Sequence, residues 1–176
     1  MTVIANQSIQ NLPTPDKTGG KPLMLALAER KTIRDFSDKP IAEQTLSDLL
    51  WATWGMNRDG WRTAPTSMNN QQMIVFVVKP DGIWRYNASQ HQLEKVLEQS
   101  YYAAFGGAPL TFIYAGSQGK YDALSIGALY QNAGLYCASV GLGNVIETNH
   151  NQVLANRLPM PVGYKIYITQ SFGWPA

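Results

Sequence analysis

Apolar positions recur along this chain in two manners, at helical spacing and in short unbroken runs, and together they divide it into elements. Lys21-Pro-Leu-Met-Leu-Ala-Leu-Ala-Glu-Arg30 puts Pro22 at a helix start and strong helix formers behind it. That helix is expected to end near Arg30, where the β-branched Thr32 and Ile33 follow. From Glu43 to Trp54, Leu46, Leu49, Leu50, Thr53 and Trp54 share one face of a helix stopped by Gly55. Residues 120 to 140 predict a longer helix, apolar nearly all round and interrupted by Asp122, Ser125, Gln131, Asn132 and Ser139. Such a helix belongs in the middle of a protein. Strands are expected at Met73-Ile-Val-Phe-Val-Val-Lys79, at Trp84-Arg-Tyr86 after the Asp81-Gly82 turn, and at Ala108 to Gly116. Two more fit Asn144-Val-Ile-Glu147 and Tyr164 to Gln170, with a short helix near residues 152–156 between them. Leu93, Val96 and Leu97 predict another short helix, and residues 57–72 a long polar loop. Residues 1–20 read as an extended arm, lying on the body or crossing to a partner, ahead of one mixed domain at 21–176.

Composition narrows the class. The 176 residues are 45% hydrophobic, 11% aromatic and 15% charged, which excludes a disordered, collagen-like or coiled-coil chain. Low charge also hints that part of the exterior is covered by a ligand or another subunit. With 14 basic against 12 acidic residues, the net charge of +2 gives no field for a nucleic acid. Cys137 is the single cysteine, so an internal disulfide is impossible. No stretch approaches the ~20 apolar residues of a membrane span. The start lacks the basic and apolar regions of a signal peptide, so a cytoplasmic location is expected, although a leader already cleaved would leave no trace.

Few side chains suit hydrolysis. Only His91 and His150 are available as bases, no nucleophile elbow occurs, and neither histidine has metal-ligand spacing to another donor. Cys137, among apolar neighbours, reads as a core residue. Gly141-Leu-Gly143 follows a helix, not a strand, and lacks the third glycine of a dinucleotide fingerprint, so it reads as a helix cap and turn. Arg30-Lys-Thr-Ile-Arg34 stands apart: three cations and a hydroxyl suit a phosphate or an anionic ring. Extended alternation sends Arg30, Thr32 and Arg34 to one side and Lys31 to the other. A solvated, dipole-compensating helix end is the alternative reading.

Four motifs carry a resemblance. Glu29-Arg-Lys-Thr-Ile-Arg-Asp-Phe36 is similar to the Arg-Arg-Ser-x-Arg-x-Phe opening of the nitroreductase family of flavin-dependent oxidoreductases. Ala64-Pro-Thr-Ser-Met-Asn-Asn-Gln71 resembles its Ala-Pro-Ser-Ser-x-Asn-x-Gln loop, and Ala128 through Gly143 its central helix and Gly-Leu-Gly turn. Leu158 to Pro175 resembles its last strand and Gly-aromatic-Pro ending. The resemblance implies an α+β fold, a three-layer α/β/α sandwich with a central mostly antiparallel sheet. It also implies a homodimer with FMN at the subunit interface. Arg30, Lys31 and Thr32 would hold the ribityl phosphate and Arg34 the pyrimidine edge. Asn69, with Gln71 close by, would hydrogen-bond the flavin's polar edge, and Pro65, Thr66 and Ser67 would approach the ring and ribityl chain. A backbone N–H of the Val145-Ile146-Glu147 turn would face flavin N5, though Glu147 fits a surface strand end equally. The family often adds a basic C-terminal segment to the phosphate site; here Arg157 or Lys165 is available instead.

The implied activity is reduction of nitroaromatics, quinones or similar electron-poor acceptors by NAD(P)H in alternating half-reactions. Two alternatives stand beside it. One is a flavin-dependent dehydrogenase or oxidase acting on a peptide-derived or heterocyclic substrate; the other is a non-catalytic, flavin-binding or flavin-free dimeric scaffold.

Overall fold

The computed structural model describes residues 8–148 and 152–176. His150, one of the two candidate bases, lies outside them. Seven strands form one sheet: β1 (Ile9–Asn11), β4 (Ile74–Lys79), β5 (Gly82–Asn87), β6 (Gln92–Leu97), β7 (Leu110–Gly116), β8 (Gly143–Glu147) and β9 (Lys165–Gly173). Their spatial order is β1-β6-β5-β4-β7-β9-β8, and each neighbouring pair is antiparallel. Two more short strands, β2 (Met56–Arg58) and β3 (Trp61–Arg62), make a separate hairpin.

The unbroken apolar runs of β4 and β7 arise because both sheet faces are covered. Val75 and Val77 of β4 and Leu110, Phe112 and Tyr114 of β7 face one core. Against them pack Leu46, Leu49, Leu50 and Trp54 of helix α2 (Glu43–Trp54) and Ile126, Leu129, Ala133 and Cys137 of helix α3 (Asp122–Val140). The alternate residues Ile74, Phe76, Val78, Ile113 and Ala115 face a second, thinner core, closed by Phe105 and by Leu154 and Leu158 around helix α4 (Gln152–Arg157). Helix–sheet–helix layering thus follows from the period-two alternation of the strands. α3 is half-buried on its other flank, where α1 (Leu23–Glu29) packs against it.

Three expectations need correction. The short helix at Leu93, Val96 and Leu97 is strand β6. A register shift opposite Ile83 and Trp84 puts Leu93 in the first core and both Val96 and Leu97 in the second, so a β-bulge reproduces helical spacing. The 57–72 loop contains the β2–β3 hairpin, which turns on Gly60 at φ +71°. Asp59-Gly60 was the available signal. His91, which the expected helix at Leu93–Leu97 would adjoin, sits instead at the β5–β6 turn, at φ +49°. Its Nε2 lies 2.7 Å from Ser47 Oγ and its Nδ1 2.9 Å from Tyr86 OH.

The arm from Ser8 onward lies on the body. β1 extends the sheet beside β6, Ser47 Oγ donates to the Pro13 carbonyl at 2.5 Å, and Asp16 N donates to Asp48 Oδ1 at 2.8 Å.

Candidate functional site

Arg30 ends α1 with extended dihedrals (φ −55°, ψ 124°), and from there the chain crosses the open edge of the sheet. Ile33 N donates to the Asn144 carbonyl of β8 at 2.9 Å, Phe36 bridges to Pro175, and Ser37 N donates to the Trp174 carbonyl at 2.8 Å. Two glycines permit this approach. A Cβ on Gly143 would stand 3.0 Å from the Ile33 side chain, and one on Gly173 would meet the Phe36 ring at 2.7 Å. Asn144 is held beneath by a buried relay in which Tyr114 OH donates to Gln170 Oε1 at 2.6 Å and Gln170 Nε2 to Asn144 Oδ1 at 2.9 Å.

This anchoring fixes the alternation of the basic segment. Lys31 and Ile33 turn toward a cavity of about 250 Å³ shared with Lys21, Glu29 and Asn144. Arg34 instead lines a cavity of about 670 Å³ with Phe36, Ile41, Tyr102, Gly107 and Leu110. Arg30, Thr32 and Arg34 are all exposed. The two remaining cations considered for the phosphate are engaged elsewhere: Arg157 Nη1 donates to Gln99 Oε1 and Tyr101 OH, and Lys165 lies over the Tyr167 ring.

Residues 145–147 are not a turn but the end of strand β8, the sheet's edge. Since the Asn144 carbonyl points outward to Ile33, alternation sends the N–H of Ile146 outward as well. Val145 is buried beneath, Ile146 is exposed, and the Glu147 carbonyl accepts from Thr169 Oγ1 at 3.2 Å.

The polar loop folds around the β2–β3 hairpin. Ala64 is buried, whereas Pro65, Ser67 and Asn69 are exposed. Met68 and Asn69 both hold left-handed dihedrals, φ +52° and +54°, and Met68 is 98% exposed. Such strain on a non-glycine pair costs of order 1–3 kcal/mol per residue and gathers at functional loops. The two amides are already tied inward: Gln71 Nε2 donates to the Gly60 carbonyl at 2.8 Å and to Asn69 Oδ1 at 2.7 Å, and Asn69 Nδ2 to Gly60 at 3.1 Å. Asn69 keeps one N–H and one lone pair for another partner. Thr66 Oγ1 is buried with no hydrogen-bond partner.

One chain does not unite these parts. Pro65, Thr66 and Asn69 line a cavity of about 290 Å³ with Arg58, Trp61 and Arg62. Ser67 and Met68 border another, about 140 Å³, with Lys120, Tyr121 and Asp122. Neither cavity includes any residue of the basic segment or of β8. Arg62, Lys120 and Tyr121 line these cavities although none belongs to the four motifs. Elsewhere the chemistry is sparse. Cys137 is fully buried and burial pushes its thiol up, and no cluster of metal-ligating side chains occurs among the described residues. No helix of the described residues is long and apolar enough to cross a membrane.

Comparisons with known proteins bear on this arrangement. A nitroreductase-type protein of Ralstonia eutropha JMP134 superimposes with a TM-score of 0.87 at 33% identity, over 96% of this chain and 90% of that one. The E. coli microcin synthetase McbBCD complex with bound truncated pro-MccB17 gives 0.71 at 20% identity, over 82% of this chain and 69% of its matching chain. A nitroreductase-type protein of Desulfovibrio desulfuricans in complex with FMN gives 0.65 at 18%, over 89% and 87%. Residues 27–174, which include all four motifs but the last residue of the ending, match the family description "Nitroreductase family". The chain belongs to the nitroreductase family.

Proposed function

We propose that this protein is an FMN-dependent oxidoreductase that works as a homodimer, taking hydride from NAD(P)H and passing it to an electron-poor acceptor such as a nitroaromatic or quinone. The observation that carries the reading is the separation of the two candidate flavin-contacting parts. One chain offers a basic segment and a sheet edge; its amide loop borders other cavities. Beside them lies apolar surface that a lone chain leaves in water: Leu23 (63% exposed) and Met24 (75%) on α1, and Leu124 (73%) on α3. A second copy covering that surface would bring its loop to the first copy's basic segment.

The donor set fits FMN. Arg30 and Thr32, on one side of an extended run, match a phosphate with a forked donor and a hydroxyl. Lys31, turned to the other side, would add charge without direct contact. Arg34 would set a fixed cation at the pyrimidine edge, where reduction builds negative charge. The free N–H and lone pair of Asn69 suit the flavin's mixed donor and acceptor edge, and Gln71 holds that amide in place. Pro65, Thr66 and Ser67 would line the ring and ribityl chain, the buried Thr66 hydroxyl finding there the partner it lacks. The outward N–H of Ile146, between Val145 and Glu147, would reach the ring's central nitrogen. Bound FMN supplies a ring nitrogen that accepts and returns hydride. No side-chain acid is required for that chemistry.

A second reading draws on Lys120 and Tyr121, which line a cavity with Ser67 and Met68, Lys120 Nζ lying 5.1 Å above the Tyr121 ring. An amine and a phenol beside the flavin loop would serve a dehydrogenase that removes a proton from a peptide-derived or heterocyclic substrate. Anaerobic addition of NADH or NADPH separates the two. Rapid loss of the flavin's visible absorbance is the expected result; a yellow protein that does not respond would favour the second reading.

A further inference from the structure

Arg62 of β3 is half-buried, with its guanidinium 4.6 Å from the Trp54 ring centroid. Its Nε donates to Gln71 Oε1 at 2.8 Å and its Nη1 to the Trp54 carbonyl at 3.1 Å. Among the described residues no carboxylate pairs with it. Burial lowers its pKa, with Tyr86 opposing the shift. A desolvated cation with no counter-charge is costly, and a neutral side chain would bridge hairpin and loop with less penalty. The feature that a neutral residue lacks is polarity. Arginine donates and never accepts, so Gln71 must turn its oxygen to Arg62 and its nitrogen to Gly60 and Asn69. Asn69 must then turn its oxygen to Gln71 and its nitrogen to Gly60. The guanidinium and the acceptor-only Gly60 carbonyl thus hold Gln71 by both ends, and Asn69 is locked against Gln71 and Gly60 in one direction.

We propose that Arg62 is a positioning residue for the flavin: by anchoring the oxygen of Gln71 opposite the Gly60 carbonyl it holds the Gln71–Asn69 pair in the place where Asn69 presents its free N–H and lone pair, and it puts a positive charge one amide behind the flavin's polar edge. The inference rests on the FMN reading. It assigns to the β2–β3 hairpin, which carries no motif, control over the loop that does.

The test measures FMN affinity by fluorescence quenching and the flavin midpoint potential by reductive titration, in the wild type, Arg62→Gln, Arg62→Lys and Gln71→Ala. Arg62→Gln removes the charge and loosens the anchor on Gln71's oxygen, so Asn69 is held less firmly and FMN affinity should fall about tenfold, the worth of one well-placed hydrogen bond. Its potential should move to more negative values. Arg62→Lys keeps a donor and the charge and should restore the potential. Gln71→Ala breaks the relay while leaving Arg62 on Trp54, so the proposal stays testable if Arg62→Gln does not fold. Combining the two should cost little more than either alone, as for members of one network. Wild-type affinity and potential in both Arg62→Gln and Gln71→Ala would overturn the positioning role alone. A wild type that takes up no FMN would overturn the FMN reading and this inference with it.

Discussion

Arg30 and Arg34 are both exposed, yet they are expected to fail differently when removed. Arg30→Ala should weaken FMN binding by about 1.5–3 kcal/mol, the worth of a hydrogen bond to a charged group. Arg34→Ala should also lower the flavin potential, because it removes positive charge beside developing negative charge. Affinity titration and spectroelectrochemistry on both variants check this; equal affinity losses with unchanged potentials would refute separate roles. His91 gives a prediction of another kind. Burial lowers its pKa below the ordinary 6.5; the Pro13 backbone and Asp48 oppose that shift, and Lys17 adds to it. The unfolded chain therefore binds a proton at a higher pH than the folded one. Stability from this group is complete above about pH 6.5 and declines as the pH falls from there toward the folded value. Melting temperature measured from pH 5 to 8 should show that slope, and His91→Gln should flatten it. The histidine ties Ser47 of α2 to Tyr86 of β5 beneath Pro13 of the arm. Its loss should therefore reach stability and not the flavin: the variant His91→Gln, His150→Gln, Cys137→Ala should keep flavin reduction within about tenfold. A thousandfold loss with FMN bound would place one of these groups in the chemistry.

At the scale of elements, legibility followed the strength of local signals. α2, α3, β4 and β7 could be placed because their apolar spacing is long and both sheet faces are covered. β6 reads as a helix because its bulge mimics the helical period, and the β2–β3 hairpin hides inside a polar stretch whose Asp59-Gly60 turn is its main mark. Arg62 escaped notice for the same reason: its role comes from the hairpin that carries it to Gln71, nine residues away. The basic segment was legible as a cluster, but its path across the sheet edge depends on Gly143 and Gly173, whose missing side chains leave room for Ile33 and Phe36. Gly173→Ala would set a Cβ 2.7 Å from the Phe36 ring. Overpacking of that kind should destabilise the fold by about 1–3 kcal/mol. It should also displace the segment and weaken FMN binding, measurable by denaturant titration beside ligand titration. Full FMN affinity in a destabilised Gly173→Ala would show that the segment's seat on the sheet does not govern the site.

At the scale of the whole molecule the exposed apolar surface calls for a partner, which the proposed homodimer would supply. The low charge of the sequence leads one to expect covered surface, and the exposed side chains of Leu23, Met24, Leu25 and Leu27 on α1, with Leu124 on α3, are where the proposed interface would lie. The motifs imply an interfacial flavin through the family resemblance, but which motifs would come from which copy is not legible in the sequence. Replacing Leu23 and Met24 together by glutamate should dissociate the dimer and abolish FMN uptake while the separate chains keep their circular-dichroism spectrum. A dissociated variant that still binds FMN would place the flavin within one chain. The most direct measurement is native mass spectrometry of the protein reconstituted with FMN. The account expects two 19.5-kDa chains carrying two FMN molecules, with cofactor and dimer lost together on activation. A single chain retaining FMN, or a dimer that takes up none, would contradict it.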